Sequence, residues 1–188
     1  MRIVVIGDEL AAGLGDRRYL GWVGRVLARS ELTEPAYLAS LTMPQEDTTA
    51  LAHRWRTECE GRISHQEETR LLVGLGVGDL HSGLSLARSR LNLANILDGA
   101  NDARLPSFVV GPPPLRAPGN IEALSDAFAD VCERRSVPFV HTYGPLSGHE
   151  QWHADVAAFD GVHPGQIGYG LLAWLVLNQG FSSWIAHS

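Results

Sequence analysis

The sequence predicts an α/β domain built on a parallel sheet of about five strands with helices on both faces. Three observations predict it. Apolar runs alternate with amphipathic stretches along the whole chain, the βαβ rhythm of a parallel sheet. The run Arg70–Gly76 (RLLVGLG) is apolar on both faces, as a strand covered by helices on either side must be. The first run stops at Gly7-Asp8 and a later one at Pro112-Pro113-Pro114, residues that end strands.

The elements follow in order. Arg2–Ile6 is a first strand. Tyr19–Arg29 carries apolar residues at helical spacing, and Trp22 falls on its core face. Ala36–Ser40 is a second strand. Asp47–Glu58 is a polar-faced helix with Asp47 or Thr48 as its N-cap. Arg70–Gly76 is the third strand and Leu84–Leu97 the helix after it. Ser107–Gly111 is the fourth strand, and Asn120–Arg135 reads as a helix. Pro138–His141 is a short fifth strand. The stretch 144–164 reads as the longest irregular loop, and Gly165–Leu177 as the final helix. At 188 residues the chain is one domain, 1–188, long enough to bury a substantial core.

Composition narrows the function. The net charge of −6 lacks the basic stripe that nucleic acid favours. No stretch reaches the ~18 continuous apolar residues of a membrane span. The chain enters a strand directly from Met1-Arg2 with no apolar leader, so the cytoplasm is the expected location. Cys59 and Cys132 lie far apart with no CxxC pairing and read as buried free thiols. No feature specifies an oligomer.

In open α/β sheets a ligand sits beyond the carboxyl ends of the strands. Three loops meet there: one holding Glu9, one holding Gly78 and Asp79, and one holding Asp160 and His163. These loops carry a family likeness. Ile6-Gly7-Asp8-Glu9-Leu10 resembles the GDSL block of the SGNH hydrolases, the GDSL-like esterases and lipases. Glu46-Asp47-Thr48-Thr49 is similar to their second block, Leu75-Gly76-Val77-Gly78-Asp79-Leu80 to their third, and Val109–Pro113 to their fourth strand and proline turn. Phe159-Asp160-Gly161-Val162-His163-Pro164 resembles their Asp-x-x-His-Pro block. The resemblance spans nearly the full length. It implies a flavodoxin-like, three-layer α/β/α sandwich, no cofactor, and acyl transfer from an ester to water.

The family's chemistry uses a serine nucleophile, a histidine base and an aspartate that orients the histidine. An oxyanion hole is built from the serine N–H, a glycine N–H and an asparagine side chain. Carried over by position, Asp160 and His163 are present, but the serine position is Glu9, the glycine position Glu46 and the asparagine position Gly78. Asp8 and Asp79 keep neighbouring, structural places. Glu9 has no hydroxyl to acylate. In a serine protease, loss of the nucleophile alone costs about 10⁶-fold in turnover. Gly78 offers no side-chain donor, and one oxyanion donor is worth about 10²–10³-fold. Glu46 keeps an N–H, yet it resists a positive φ and brings a charge that repels an oxyanion. Glu9, Asp160 and His163 are expected to converge on one cleft, with a protonated His163 held between the two carboxylates.

His149-Glu150-Gln151-Trp152-His153 fits the zincin pattern H-E-x-x-H. It follows Gly144-Pro145 and Ser147-Gly148, so it reads as a polar turn, and Val156 stands where the longer motif needs glycine. Glu9, Glu46, Asp160 and His163 together could hold a hard cation, but no metal is expected. Trp152 is either core or a cleft wall, and His81 is placed to face the cleft. His53, His65, His141 and His187 show no ligand spacing. Gly74-Leu75-Gly76-Val77-Gly78 is too short for a dinucleotide loop. The favoured reading is a degenerate esterase that binds a small ligand or a partner. The alternative is an active hydrolase of an acyl ester using Glu9 with His163 and Asp160.

Overall fold

A computed structural model describes residues 1–186 apart from Thr33 and His65. His65 and His187 therefore lie outside the described residues. Five parallel strands form one sheet: β1 (Arg2–Gly7), β2 (Tyr37–Thr42), β3 (Thr69–Gly74), β4 (Ser107–Val110) and β5 (Phe139–Val140). Their order is β2-β1-β3-β4-β5. Arg2 pairs with Tyr37 on one side and Thr69 on the other, and Leu71 pairs with Ser107. The strand order reverses at β1 and β3, where doubly wound sheets open a ligand crevice.

The period-two alternation of β1 sends its side chains to two cores. Ile3 and Val5 join Leu72, Phe108 and Val140 on one face. That face is covered by α2 (Gly21–Arg29), α8 (Glu150–Ala157) and α9 (Gln166–Val176) through Trp22, Trp152 and Tyr169. Val4 and Ile6 join Leu71 and Val73 on the other. There α3 (Thr48–Glu60), α5 (Leu86–Asp102) and α6 (Ile121–Glu133) supply Leu51, Trp55, Ile96 and Phe128. Each fully buried aliphatic side chain contributes roughly 1.5–3 kcal/mol. Cys59 and Cys132 are buried free thiols in this second core, and burial pushes both up, to about 11 and about 12.

Several element boundaries differ from the sequence reading. The helix expected from Tyr19 begins at Gly21, because Asp16 accepts the N–H groups of Arg18, Leu20 and Gly21 and winds the preceding residues into a turn. Tyr19 there has φ 56°. Strand β3 stops at Gly74, two residues early, and β5 is only two residues long. α5 runs to Asp102 because Ala100 is still buried against the core. Two single-turn helices, α1 (Glu9–Ala12) and α4 (Gly78–His81), follow β1 after one residue and β3 after three.

The largest correction falls on 144–164. It is not a loop: it contains α7 (Tyr143–Ser147) and α8, which buries Trp152 and Val156 one turn apart. The H-E-x-x-H segment thus lies on a two-turn helix, with His149 as its N-cap. After α9 the chain kinks at Gln179-Gly180 and ends in α10 (Ser182–Ala186), where Trp184 packs against Phe108 and Phe181. Among the described residues no helix is long and apolar enough to cross a membrane.

Candidate functional site

β1 delivers its carboxyl end to the crevice, and Asp8 turns the chain there. The Asp8 side chain accepts the Leu10 N–H at 3.0 Å and caps α1, so Glu9 emerges as the helix's first residue. Asp8 is buried with Oδ2 over Gly76, where any Cβ would sit 1.7 Å from that oxygen. Burial, then repulsion from Glu9, pushes the Asp8 carboxyl up to about 8, against the opposing N–H groups of Leu10 and Ala11.

Among the described residues the Glu9 carboxylate makes two polar contacts. Its Oε2 accepts the Gln45 N–H at 2.5 Å, which ties α1 to the β2–α3 loop. Its Oε1 faces His163 Nε2 at 3.7 Å. His163 is held from behind by Asp160. Asp160 Oδ2 lies 2.5 Å from His163 Nδ1, and Oδ1 accepts the N–H groups of Val162 and His163 at 2.8 and 2.7 Å. Burial raises the Asp160 carboxyl, but the hydrogen bonds from His163 and Val162 reverse this and hold it below the ordinary carboxylate range. The three residues converge, with the imidazole between two carboxylates.

Glu46 does not join them. Its carboxylate forks onto Arg54, which also meets Glu58 at 2.8 Å and donates to the Leu41 carbonyl at 2.8 Å. The charge expected to repel an oxyanion is thus paired and turned away. Burial still pushes Glu46 above its ordinary range, Arg54 offsetting only part. The positive φ of this loop falls on Gln45 (57°) and not on Glu46. The four-residue cation cluster therefore does not form. Among the described residues no group of three or more His, Cys, Asp or Glu side chains is placed to hold a metal.

The Glu46 backbone matters more than its side chain. A Cβ built on Gly78 would lie 2.1 Å from the Glu46 carbonyl oxygen and 3.1 Å from the Asp47 nitrogen. The direction in which an asparagine would leave the chain is sealed by main chain. A polar network fixes that approach. Asp79 accepts the Thr48 N–H at 2.6 Å and its hydroxyl at 2.8 Å, while Asn92 donates to Thr48 and Thr49.

Above these groups opens a cleft of about 500 Å³, bordered by Glu9, Leu14, Gln45, Gly78, His81 and His163. His81 faces it, as its place after the third block predicts. Trp152 does not. It is fully buried and donates from Nε1 to the Pro114 carbonyl at 3.0 Å. His149 is half-buried and His153 lies 2.7 Å from the Ser147 carbonyl. A larger groove of about 690 Å³, near Arg104, Arg135 and Trp184, lies at the other end of the sheet, beside the starts of β4 and β5.

Sequence reasoning missed three positioning residues. Arg54 holds Glu46. Asp155 accepts the N–H groups of Gly165 and Gly168 at 2.6 and 2.8 Å, which sets the start of α9 beside His163. Tyr169 donates to the Leu14 carbonyl at 2.6 Å. The spacing of Arg54 and Glu58 on α3 signals only their own i,i+4 pair, and no pattern in the sequence points to these contacts.

A model of the GDSL-like lipase/acylhydrolase family matches residues 5–171. No curated protein matches the chain. Among solved structures, a lipase/acylhydrolase from Enterococcus faecalis superposes with a TM-score of 0.77 at 20% identity, covering 96% of this chain and 95% of its own. A catalytic mutant of an acetylxylan esterase from Geobacillus stearothermophilus gives 0.78 at 15% identity, covering 100% and 97%. A psychrotrophic esterase from Pseudoalteromonas sp. gives 0.75 at 17%, covering 99% of each. At these identities the likeness shows the fold, a three-layer α/β/α sandwich of the SGNH hydrolase type.

Proposed function

Because this chain belongs to the GDSL-like lipase/acylhydrolase family, we propose that it is a member that keeps the family's cleft as a ligand pocket and has lost serine ester hydrolysis. The observation that carries the reading is the pairing of two changes at one place. A glutamate occupies the nucleophile position with Oε1 3.7 Å from His163 Nε2, and the Glu46 carbonyl seals the direction an asparagine side chain would need at Gly78. The first removes the attacking hydroxyl. The second removes an oxyanion donor and puts an acceptor beside the gap.

In this reading His163 persists as part of the pocket wall, with Asp160 behind it. Asp160 fixes the imidazole through Nδ1, and the ring presents Nε2 to the cleft. Carboxylates flank the ring on both sides, Asp160 at Nδ1 and Glu9 facing Nε2.

The second reading is a carboxylate mechanism, in which Glu9 attacks the ester or activates water. The open cleft above Glu9 favours it. Turnover of p-nitrophenyl acetate, butyrate and octanoate by wild type and Glu9→Gln, with and without chelator, decides between them. The proposal expects no turnover above buffer from either protein. Wild-type turnover that Glu9→Gln abolishes would overturn it.

A further inference from the structure

The cleft over Glu9 has one acidic end and an apolar body, and we infer that it binds a small organic ammonium ion carrying an apolar chain. The ammonium sits on Glu9 Oε1 and the chain runs along the rim. This inference rests on the reading of the site as a ligand pocket without serine chemistry.

Glu9 Oε2 is already occupied by the Gln45 N–H. Oε1 is 3.7 Å from His163 Nε2, beyond hydrogen-bond distance, so it is open to a donor from the cleft. Among the described residues no arginine borders the cleft, and the chain contains no lysine at all. Nothing at that end therefore supplies a permanent positive charge. Glu9 and Asp160 bring two carboxylates against one imidazole, which leaves the trio net negative in either state of the ring. An ammonium group meets this with a charge-assisted hydrogen bond, a neutral hydroxyl forgoes the charge, and a carboxylate is repelled.

The body of the cleft is apolar: Leu10, Leu14, Pro44, Val77, Leu115 and Val162 border it. Leu14 is 48% exposed and Val162 36%, large apolar side chains left uncovered at the mouth. At about 500 Å³ the space lies in the ordinary range of small-molecule sites, roughly 300–1,000 Å³. An apolar chain attached to the ammonium covers those side chains. Inorganic cations and short polar amines would leave them wet.

Calorimetric titration with n-octylammonium, 1-octanol and octanoate, each below its aggregation concentration, tests the assignment. Octylammonium should bind wild type at least about tenfold more tightly than either other probe. Glu9→Gln should weaken it by at least about tenfold, the lower bound for a lost charge-assisted bond. The substitution keeps an oxygen for the Gln45 N–H, so the loop stays anchored. Equal or tighter binding of octanol or octanoate, no binding of octylammonium, or an unchanged affinity in Glu9→Gln would each overturn the inference. The wild-type probe series needs no variant and decides the matter if Glu9→Gln fails to fold. Failure here in a protein silent toward esters sinks the ammonium site alone. Ester turnover that depends on Glu9 sinks the reading beneath it.

Discussion

Gly78→Ala measures how firmly the Glu46 carbonyl seals the asparagine position. The added Cβ would stand 2.1 Å from that oxygen, 2.7 Å from its carbon and 3.1 Å from the Asp47 nitrogen. Real Cβ atoms essentially never come within 3.0 Å of such neighbours, so the β2–α3 loop must retreat by about 1 Å. That loop is held by Glu9 on Gln45, by Arg54 on Glu46 and by Asp79 on Thr48, and it cannot yield freely. Overpacking of this kind costs about 1–3 kcal/mol. Alanine's advantage over glycine in a helix, at most about 1 kcal/mol, offsets part of it. The expected net result is destabilisation by about 1–2 kcal/mol, read as a lower urea midpoint at unchanged slope. Gly61→Ala is the control. Gly61 has φ −70° and nothing within 4 Å of its Cβ position, so alanine should be neutral or stabilising by up to about 1 kcal/mol. A Gly78→Ala protein as stable as wild type would refute the sealing argument. Gly78→Asn meets the same carbonyl first, so that substitution alone restores no oxyanion donor.

Three further outcomes are expected. Asp8 ionises near 3.8 when unfolded and near 8 when folded, so between those values the folded chain holds the extra proton and stability falls as pH rises, by up to about 1.4 kcal/mol per pH unit. Asp8→Asn removes this slope, and its advantage over wild type in denaturation midpoint should grow from about pH 5 to about pH 8. Asp16→Ala strands the mostly buried Arg25 guanidinium and should cost about 3–5 kcal/mol by urea unfolding. Burial raises the Asp16 carboxyl, but Arg25 and the N–H groups of Arg18 and Gly21 reverse this and hold it at about 2. The stabilisation is therefore complete above the unfolded value of 3.8, and wild type should lose it as pH falls through about 2. Trp152→Phe deletes the hydrogen bond to the Pro114 carbonyl, and its melting midpoint should fall by the equivalent of about 1–3 kcal/mol.

The strands were legible because their pattern is strong. β1 and β3 are buried along nearly their whole length, and that requirement is written in the residue types. The convergence of Glu9, Asp160 and His163 was legible because Glu9 sits just past the end of β1, and the Asp160–His163 block matches a family block in the turn between α8 and α9. α8 was not, since two turns carry only two core residues, Trp152 and Val156, between polar neighbours. The start of α2 was hidden because Asp16 sets it through hydrogen bonds from three later residues. The fate of Glu46 was hidden for the same physical reason. Its partner, Arg54, sits in the second turn of the following helix, and only the path of the loop decides that the side chain turns to it. The sealing of Gly78 depends on main-chain approach between two loops, a quantity that no side-chain pattern encodes.

The proposed function rests on the loss of a nucleophile at position 9 of a scaffold that keeps Asp160 and His163 and lacks one oxyanion donor. It is tested most directly by kcat/KM for p-nitrophenyl acetate in Glu9→Ser beside wild type. Wild type should be silent, and Glu9→Ser should gain a weak activity which a further His163→Ala removes. With an oxyanion donor missing, that gain should stay about 10²–10³-fold below a complete site. Turnover by wild type that Glu9→Ser diminishes would contradict it, because the carboxylate itself would then be the catalyst.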